Sequence, residues 1–493
     1  MTGGLGVKGE NAAGRLFAEY GGVVDRYLSK YRREIVDCLM SLIKIPSVRG
    51  EPEHGAPYGR ACADVLDAAE KLYKSHGFDT EHDRENGYLL AGDLEYDSSI
   101  PLLGIFAHAD VATPGEGWIY TSPFEPLEKD GFIIGRGALD DKAAVPVALH
   151  CALMLRELGI PFHSRFISFT GSNEETGMED IKAYLAKHKP PDFALVCDTA
   201  FPPYRGNKGG LRLTARSREQ LCDVLSFGGG EGGGAILGRA EAELTFDEEL
   251  FEYLRRSEND FLHITRRDGR IHVEAEGISR HSALPAGSRN AGGMIAELLS
   301  DCEDMLCDSD VRMMRFIASL LTRYDGGVLG IAVSSPDFGQ LTCTNSSVSL
   351  EGGYLTLEIN IRFGGDSAET ERLKEKVTKA FDTEGFDVDI WRATDPHIVP
   401  EDNRFIIACM EVYRKFSGNT DARPNVNAGG TYGMYLPCAA ETGPVYGGSP
   451  EFKLPPGHGH VHQPDECISI DGLMKAIKLN FFMLMACDLA VKS

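Results

Sequence analysis

Five short polar clusters stand at the ends of apolar runs: "HAD" with His108 and Asp110, "LDD" with Asp140 and Asp141, "NEE" with Glu174 and Glu175, "CD" with Asp198, and "HQPDE" with His462 and Glu466. A single carboxylate in such a place commonly caps a helix or is solvated in a loop. Two imidazoles and several carboxylates delivered to one edge are instead a donor set for divalent ions. Two ions about 3.5–4 Å apart polarise a carbonyl and activate a water. The chemistry implied is hydrolysis. Adjacent glutamates fit it, because one can be a ligand while the other stays free to carry a proton. Adjacent aspartates fit it as well: neighbouring side chains of an extended segment point opposite ways, so only one of Asp140 and Asp141 can face the ions.

The elements that must position these groups alternate in type. Residues 24 to 45 carry Leu28, Tyr31, Ile35, Leu39 and Leu42 on one helical stripe that Pro46 ends. A second amphipathic helix ends on Gly77, and an apolar one, "AAVPVALHCALMLRELG", on Gly159. Between and after them "YLLAGDL", "PLLGIFAH", "HSRFISFTG" and "PDFALVCD" read as buried strands. Polar residues collect after the carboxyl ends of these strands, where α/β sheets gather their ligands. Near residue 206 the pattern changes. In "YLTLEINIR" Leu355, Leu357, Ile359 and Ile361 share one face and Thr356, Glu358, Asn360 and Arg362 the other, the mark of a half-exposed α+β sheet. The glycine-rich "FGGGEGGGAI" reads as a loop and lacks the GxGxxG-then-helix context of a phosphate site.

The expected organisation is a short N-terminal extension (1–24), an α/β domain in two parts (25–207 and 395–493), and an inserted domain (208–394). At 493 residues the chain is too long for one ordinary core, which agrees with this division. A net charge of −24 disfavours nucleic acid and anionic membranes and favours attraction of cations into acidic clefts. No run approaches a membrane span, and the N-terminal residues resemble no secretory or transit signal, so a cytoplasmic location is expected. The twelve cysteines are scattered singly, with no CxxC pair, and read as buried free thiols.

Seven segments in order, "HADVATPGEGW", "GRGALDDK", "GSNEETG", "CDTAFP", "GISRHSALPAGSRNA", "GGTYG" and "HQPDE", resemble the successive motifs of the dinuclear zinc aminoacylase/carboxypeptidase family of metallopeptidases. Their spacing is most similar to its bacterial PepV-like aminoacyl-dipeptidase branch, from about residue 25 to the C-terminus. The resemblance implies a zinc-exopeptidase-like catalytic domain, a mixed sheet flanked by helices, interrupted by an α+β lid. It implies two divalent ions, zinc with manganese or cobalt as alternatives. Asp140 would bridge them, His108 and Asp198 would complete one site, and Glu175 and His462 the other. His458 and His460 share the last loop without the motif position and are not expected to be ligands. Asp110 would orient His108, and Glu174 would be the general base. The peptide between Asp140 and Asp141 would be cis.

In the insert, the resemblance makes His281 the group that stabilises the oxyanion. Arg362 would take the substrate's terminal carboxylate as a two-pronged fork. Asn345 would contact the reacting carbonyl region, and Gly430 and Thr431 would face the carboxylate. The chain departs from the usual pattern in "VATPGEGW", in "TCTNSS", which lacks a glycine common after the asparagine, and in "CDTAFP". None of these departures touches a ligand position, so they bear on substrate preference. The long insert implies that the histidine acts within its own chain, hence a monomer. The function implied is a cytoplasmic dipeptidase acting on small peptides with a free C-terminal carboxylate. The alternative is an N-acyl-amino-acid deacylase or metallocarboxypeptidase on the same scaffold.

Overall fold

Short β-forming runs capped by glycine and separated by apolar helices require a sheet covered on both faces. The computed structural model describes residues 12–95, 99–230 and 234–491 and has such a sheet. The chain divides into two compact units, one of Met1–Gly206, Ile398–Asn427 and Thr431–Ser493, the other of Asn207–His397 and Ala428–Gly430. Residues 428–430 thus group with the inserted unit although they fall inside the expected 395–493 segment.

In the first unit the strands Arg165–Gly171, Leu102–His108, Phe193–Val196 and Ala439–Glu441 lie side by side and parallel. Tyr88–Gly92 adds antiparallel to Arg165–Gly171, which makes the sheet mixed. Leu103, Ile105 and Ala107 pack with residues of the helices Ala12–Ile43, Ala144–Glu157 and Ile470–Val491. Phe106, on the opposite face, packs with Phe169, Ile181, Tyr184 and Tyr432. Burial on both faces is why these strands read as continuous apolar runs rather than alternating ones. The first helix starts at Ala12, well before the expected start near 24, because Ala13, Leu16 and Val24 continue its buried stripe. Residues 1–11 of the expected extension lie outside the described residues.

The second unit is an eight-stranded sheet in the order Leu262–Arg267, Arg270–Glu276, Arg239–Thr245, Val224–Gly229, Thr342–Glu351, Tyr354–Phe363, Gly209–Ser217, Phe386–Thr394, each pair antiparallel. One face is buried with the helices Ala291–Ser300, Asp308–Thr322 and Ser367–Thr383. Leu355, Leu357, Ile359 and Ile361 belong to that core. The expected glycine-rich loop is shorter than its sequence suggests. Phe227, Gly228 and Gly229 are strand residues, pairing with Ala242, Glu241 and Val348, while 231–233 lie outside the described residues.

Candidate metal centre

The register of the parallel strands gathers the site. His108 lies opposite Gly171, and Phe106 lies opposite Val196, so His108, the turn holding Glu174 and Glu175, and Asp198 all leave the sheet at its carboxyl edge. Asp140 arrives in the turn that precedes the helix Ala144–Glu157, and His462 in the loop before the strand Cys467–Ser469.

Asp140 stands at the middle. His108 Nε2 is 3.1 Å from its Oδ1, and His462 Nε2 is 3.1 Å from its Oδ2. His108 Nε2 is also 3.4 Å from Asp198 Oδ1, and His462 Nε2 is 3.1 Å from Glu175 Oε1. The donor atoms form two groups, His108–Asp140–Asp198 and Asp140–Glu175–His462, each within 4.8 Å, and they share Asp140. Glu174 is in neither group, nor are His458 and His460. This donor set fits a pair of divalent ions bridged by one carboxylate.

The electrostatics point the same way. Burial opposes charge on His108, yet the Asp198 carboxylate and hydrogen bonds to Asp110, Asp140 and Asp198 hold its pKa well above the usual histidine value. Burial likewise opposes charge on His462, but Asp140 and Glu175 push it up to about 10. Burial alone would raise Asp140; the two imidazoles outweigh it and keep it below the ordinary carboxylate range. Glu174 is pushed well up, first by burial and then by the Asp198 charge. A centre so rich in carboxylate calls for positive charge, which bound cations supply.

The two members of the aspartate pair separate as expected. Their peptide is cis. Asp141 is fully buried and its Oδ2 accepts from the His108 backbone N–H at 3.3 Å, so it braces the strand end while Asp140 faces the imidazoles. Asp110 contacts more than His108. His108 Nδ1 lies 3.0 Å from the Asp110 carbonyl and 3.4 Å from its Oδ1. The two carboxylate oxygens of Asp110 also accept from the amides of Glu174 and Glu175, each at 3.1 Å, which holds that turn in place.

Three supports are not apparent from the motifs read singly. Glu466 accepts from the amides of Leu139 and Asp140, at 2.8 and 3.0 Å, and is paired with the buried Arg136. Asp465 accepts from the Ile119 and Tyr120 amides and lies 2.7 Å from His458 Nδ1. Asp180 takes the amides of Ser172 and Asn173 and the Tyr432 hydroxyl, the last at 2.6 Å. Gly171 leaves the room for that contact: a Cβ there would stand 1.9 Å from Tyr432 Oη. The signal for the first support was an arginine in "GRGALDD" and a glutamate in "HQPDE", both charged and both embedded in structured segments. Arg136→Ala strands Glu466 as a buried unpaired charge and is expected to cost about 3–5 kcal/mol. A lowered midpoint of urea unfolding checks it, and an unchanged midpoint contradicts it.

His281, Asn345, Arg362 and Gly430 belong to the second unit. His281 is exposed, and its Nδ1 accepts from the Ala283 amide at 3.2 Å, which leaves the ring proton on Nε2. Asn345 is buried, its Nδ2 donating to the carbonyls of Ser347 and Glu358 at 2.6 and 3.0 Å. Arg362 lies on the polar face of its strand, between Thr342 and Gly210. Thr431, in the first unit, accepts from the Gly433 amide at 3.0 Å and so caps the short turn Tyr432–Met434.

A family model described as peptidase family M20/M25/M40 matches residues 104–485. The chain belongs to this family. It is a peptidase, and the metal dependence typical of M20/M25/M40 enzymes agrees with the donor set above. A Staphylococcus epidermidis protein whose name marks it as a candidate dipeptidase is 25% identical over 471 residues, covering 91% of this chain and 96% of the relative. Among solved structures, human carnosine dipeptidase 1 superposes with a TM-score of 0.56 at 15% identity, covering 95% of this chain and 99% of that one. The aminoacylhistidine dipeptidase of Vibrio alginolyticus gives 0.52 at 13% identity, covering 92% and 96%. These structures establish the fold of an M20 peptidase, a catalytic domain with an inserted lid. Among the described residues, no helix is long and apolar enough to cross a membrane.

Proposed function

We propose that this M20 peptidase is a dipeptidase that hydrolyses dipeptides or short peptides bearing a free C-terminal carboxylate. The observation that carries the reading is the Asp140 carboxylate, one oxygen beside each imidazole and common to both donor groups. His108, Asp140 and Asp198 would hold one divalent ion, and Asp140, Glu175 and His462 the other, zinc first with manganese or cobalt as alternatives. When bound, such ions polarise the scissile carbonyl and acidify the attacking water.

The chain's own residues do the rest. Glu174, outside both donor groups, takes the proton from the attacking water and passes it to the leaving amine. His281 donates from Nε2 to the carbonyl oxygen as negative charge builds there. Arg362 holds the terminal carboxylate in a fork, Asn345 contacts the carbonyl region, and Gly430 and Thr431 contribute to the carboxylate site. The dipeptidase names of the relatives from Staphylococcus epidermidis, human and Vibrio alginolyticus support the substrate class. We also assign the enzyme to the cytoplasm as a monomer. Twelve free cysteines support the first, and an insert that carries its own histidine motif supports the second.

Purified protein assayed on dipeptides and on N-acetyl amino acids tests this directly. Dipeptides are expected to be cleaved, the activity to vanish with a chelator, and zinc to restore it. Cleavage of N-acetyl amino acids alone overturns the substrate assignment, and cleavage indifferent to chelator overturns the chemistry.

A further inference from the structure

The polar face of the inserted unit's sheet holds more positive charge than one carboxylate needs. Two cross-strand rows lie next to each other on it. One runs Thr344, Asn360, Arg212, Arg392, and the next runs Thr342, Arg362, Gly210, Thr394. Arg392 joins the first row only because the register shifts between Ile390 and Arg392, a bulge that turns its side chain onto the face of Arg212. Gly210 makes room between the rows. A Cβ there would stand 3.0 Å from Arg362 Nη1 and 3.3 Å from Thr394 Oγ1, so the Arg362 guanidinium lies across the glycine towards the outer strand. Arg212 sits over the Trp391 ring, 5.8 Å from its centre. The loop of His281 reaches the same row, since Asn360 Nδ2 donates to Ser282 Oγ at 3.2 Å.

Among the described residues, no carboxylate lies within 4.0 Å of Arg212, Arg362 or Arg392, and the buried Nε of Arg362 has no partner. Glu358 shares the face, but its carboxylate accepts from Ser347 Oγ at 3.3 Å. The three cations therefore disfavour one another. Burial, then Arg212 and Arg392, push Arg362 down to about 10, and burial and Arg392 lower Arg212. Glu358 offsets part of the charge on Arg212, but three arginines share this one nearby carboxylate, and in a chain of net charge −24 such an excess of positive charge forms a site for an anion.

We propose that Arg212 and Arg392, beside Arg362, recognise a second carboxylate on the substrate, so that the preferred substrates are dipeptides ending in glutamate or aspartate. The inference rests on the dipeptidase reading above. One guanidinium fork satisfies one carboxylate. Diagonal neighbours across a strand pair, as Arg362 and Arg212 are, stand about 7–8 Å apart. That is a span that a side-chain carboxylate and its own α-carboxylate can bridge between converging guanidinia.

The test is the ratio of kcat/KM for Ala-Glu over the isosteric, neutral Ala-Gln, measured on the zinc-loaded full chain. The wild-type ratio is expected to be about tenfold or more, and Arg212→Gln and Arg392→Gln to lower it by about tenfold, mainly through KM. Arg212→Lys, which keeps the charge and loses the fork, should fall between them. Arg216→Gln, an exposed arginine two rows further along the strand of Arg212, should keep the wild-type ratio. A wild-type ratio near one, or a ratio that neither glutamine variant moves, overturns the proposal, and because both substrates are read on the same sample a poorly folded variant does not mimic it. If no dipeptide is cleaved, the dipeptidase reading falls, and calorimetric binding of free L-glutamate against L-glutamine decides the inference. Preferential glutamate binding that Arg212→Gln abolishes sustains it, and equal binding overturns it.

Discussion

Asp140→Asn is expected to lower kcat/KM on a dipeptide by roughly 10⁴-fold, equivalent to about 5.5 kcal/mol of transition-state stabilisation. Among the described residues, no other single side chain serves both donor groups. An amide presents one oxygen in place of two and turns an N–H towards one of the two imidazole sites, so it can complete one group at most. The backbone is not expected to change, because the Asp140 amide keeps its bond to Glu466 and Asp141 keeps its bond to His108. An activity loss with an unchanged circular dichroism spectrum is therefore the expected pair of observations. Activity within tenfold of wild type contradicts the bridging role.

Glu174→Gln is expected to lower kcat by about 10²–10⁴-fold, with KM and metal content close to wild type. The contrast with its neighbour is structural. Glu175 Oε1 accepts from the Ala112 amide at 3.0 Å and lies beside His462, whereas Glu174 enters neither donor group. The Asp110 carboxylate grips the amides of both residues, so the turn presents them in fixed and different directions. Glutamine preserves the shape and one acceptor oxygen and removes the charge and the capacity to take up a proton. A variant that loses metal, or that keeps its kcat, removes Glu174 from the role of base.

Three of the candidate ligand positions, His108, Glu175 and Asp198, were legible in the sequence because each follows an apolar strand and a parallel sheet brings such ends to one edge, whereas the roles of Asp140 and His462 were implied by the family resemblance. The strand ending in His108 and the one entering "SNEE" could be read from their apolar runs, and the register His108 opposite Gly171 then followed from the fold. What joins distant segments could not be read in this way. Arg136 and Glu466 are separated by 330 residues, and nothing local to either shows that they pair. Asp110 was expected to act on His108; its larger service, holding the Glu174–Glu175 turn, depends on a contact across two strands. The bulge that aims Arg392 at Arg212 is a property of strand register, which long-range packing sets. The early start of the first helix is hidden in the sequence because Gly21 and Gly22 interrupt the composition but not the buried stripe.

The most direct test of the central claim is the metal content of the wild-type chain and of Asp140→Asn after stripping with chelator and re-equilibration with zinc. Two equivalents per wild-type chain, with at least one lost in the variant, is the expected result. One equivalent in both proteins, or two in both, contradicts a centre built around the Asp140 carboxylate.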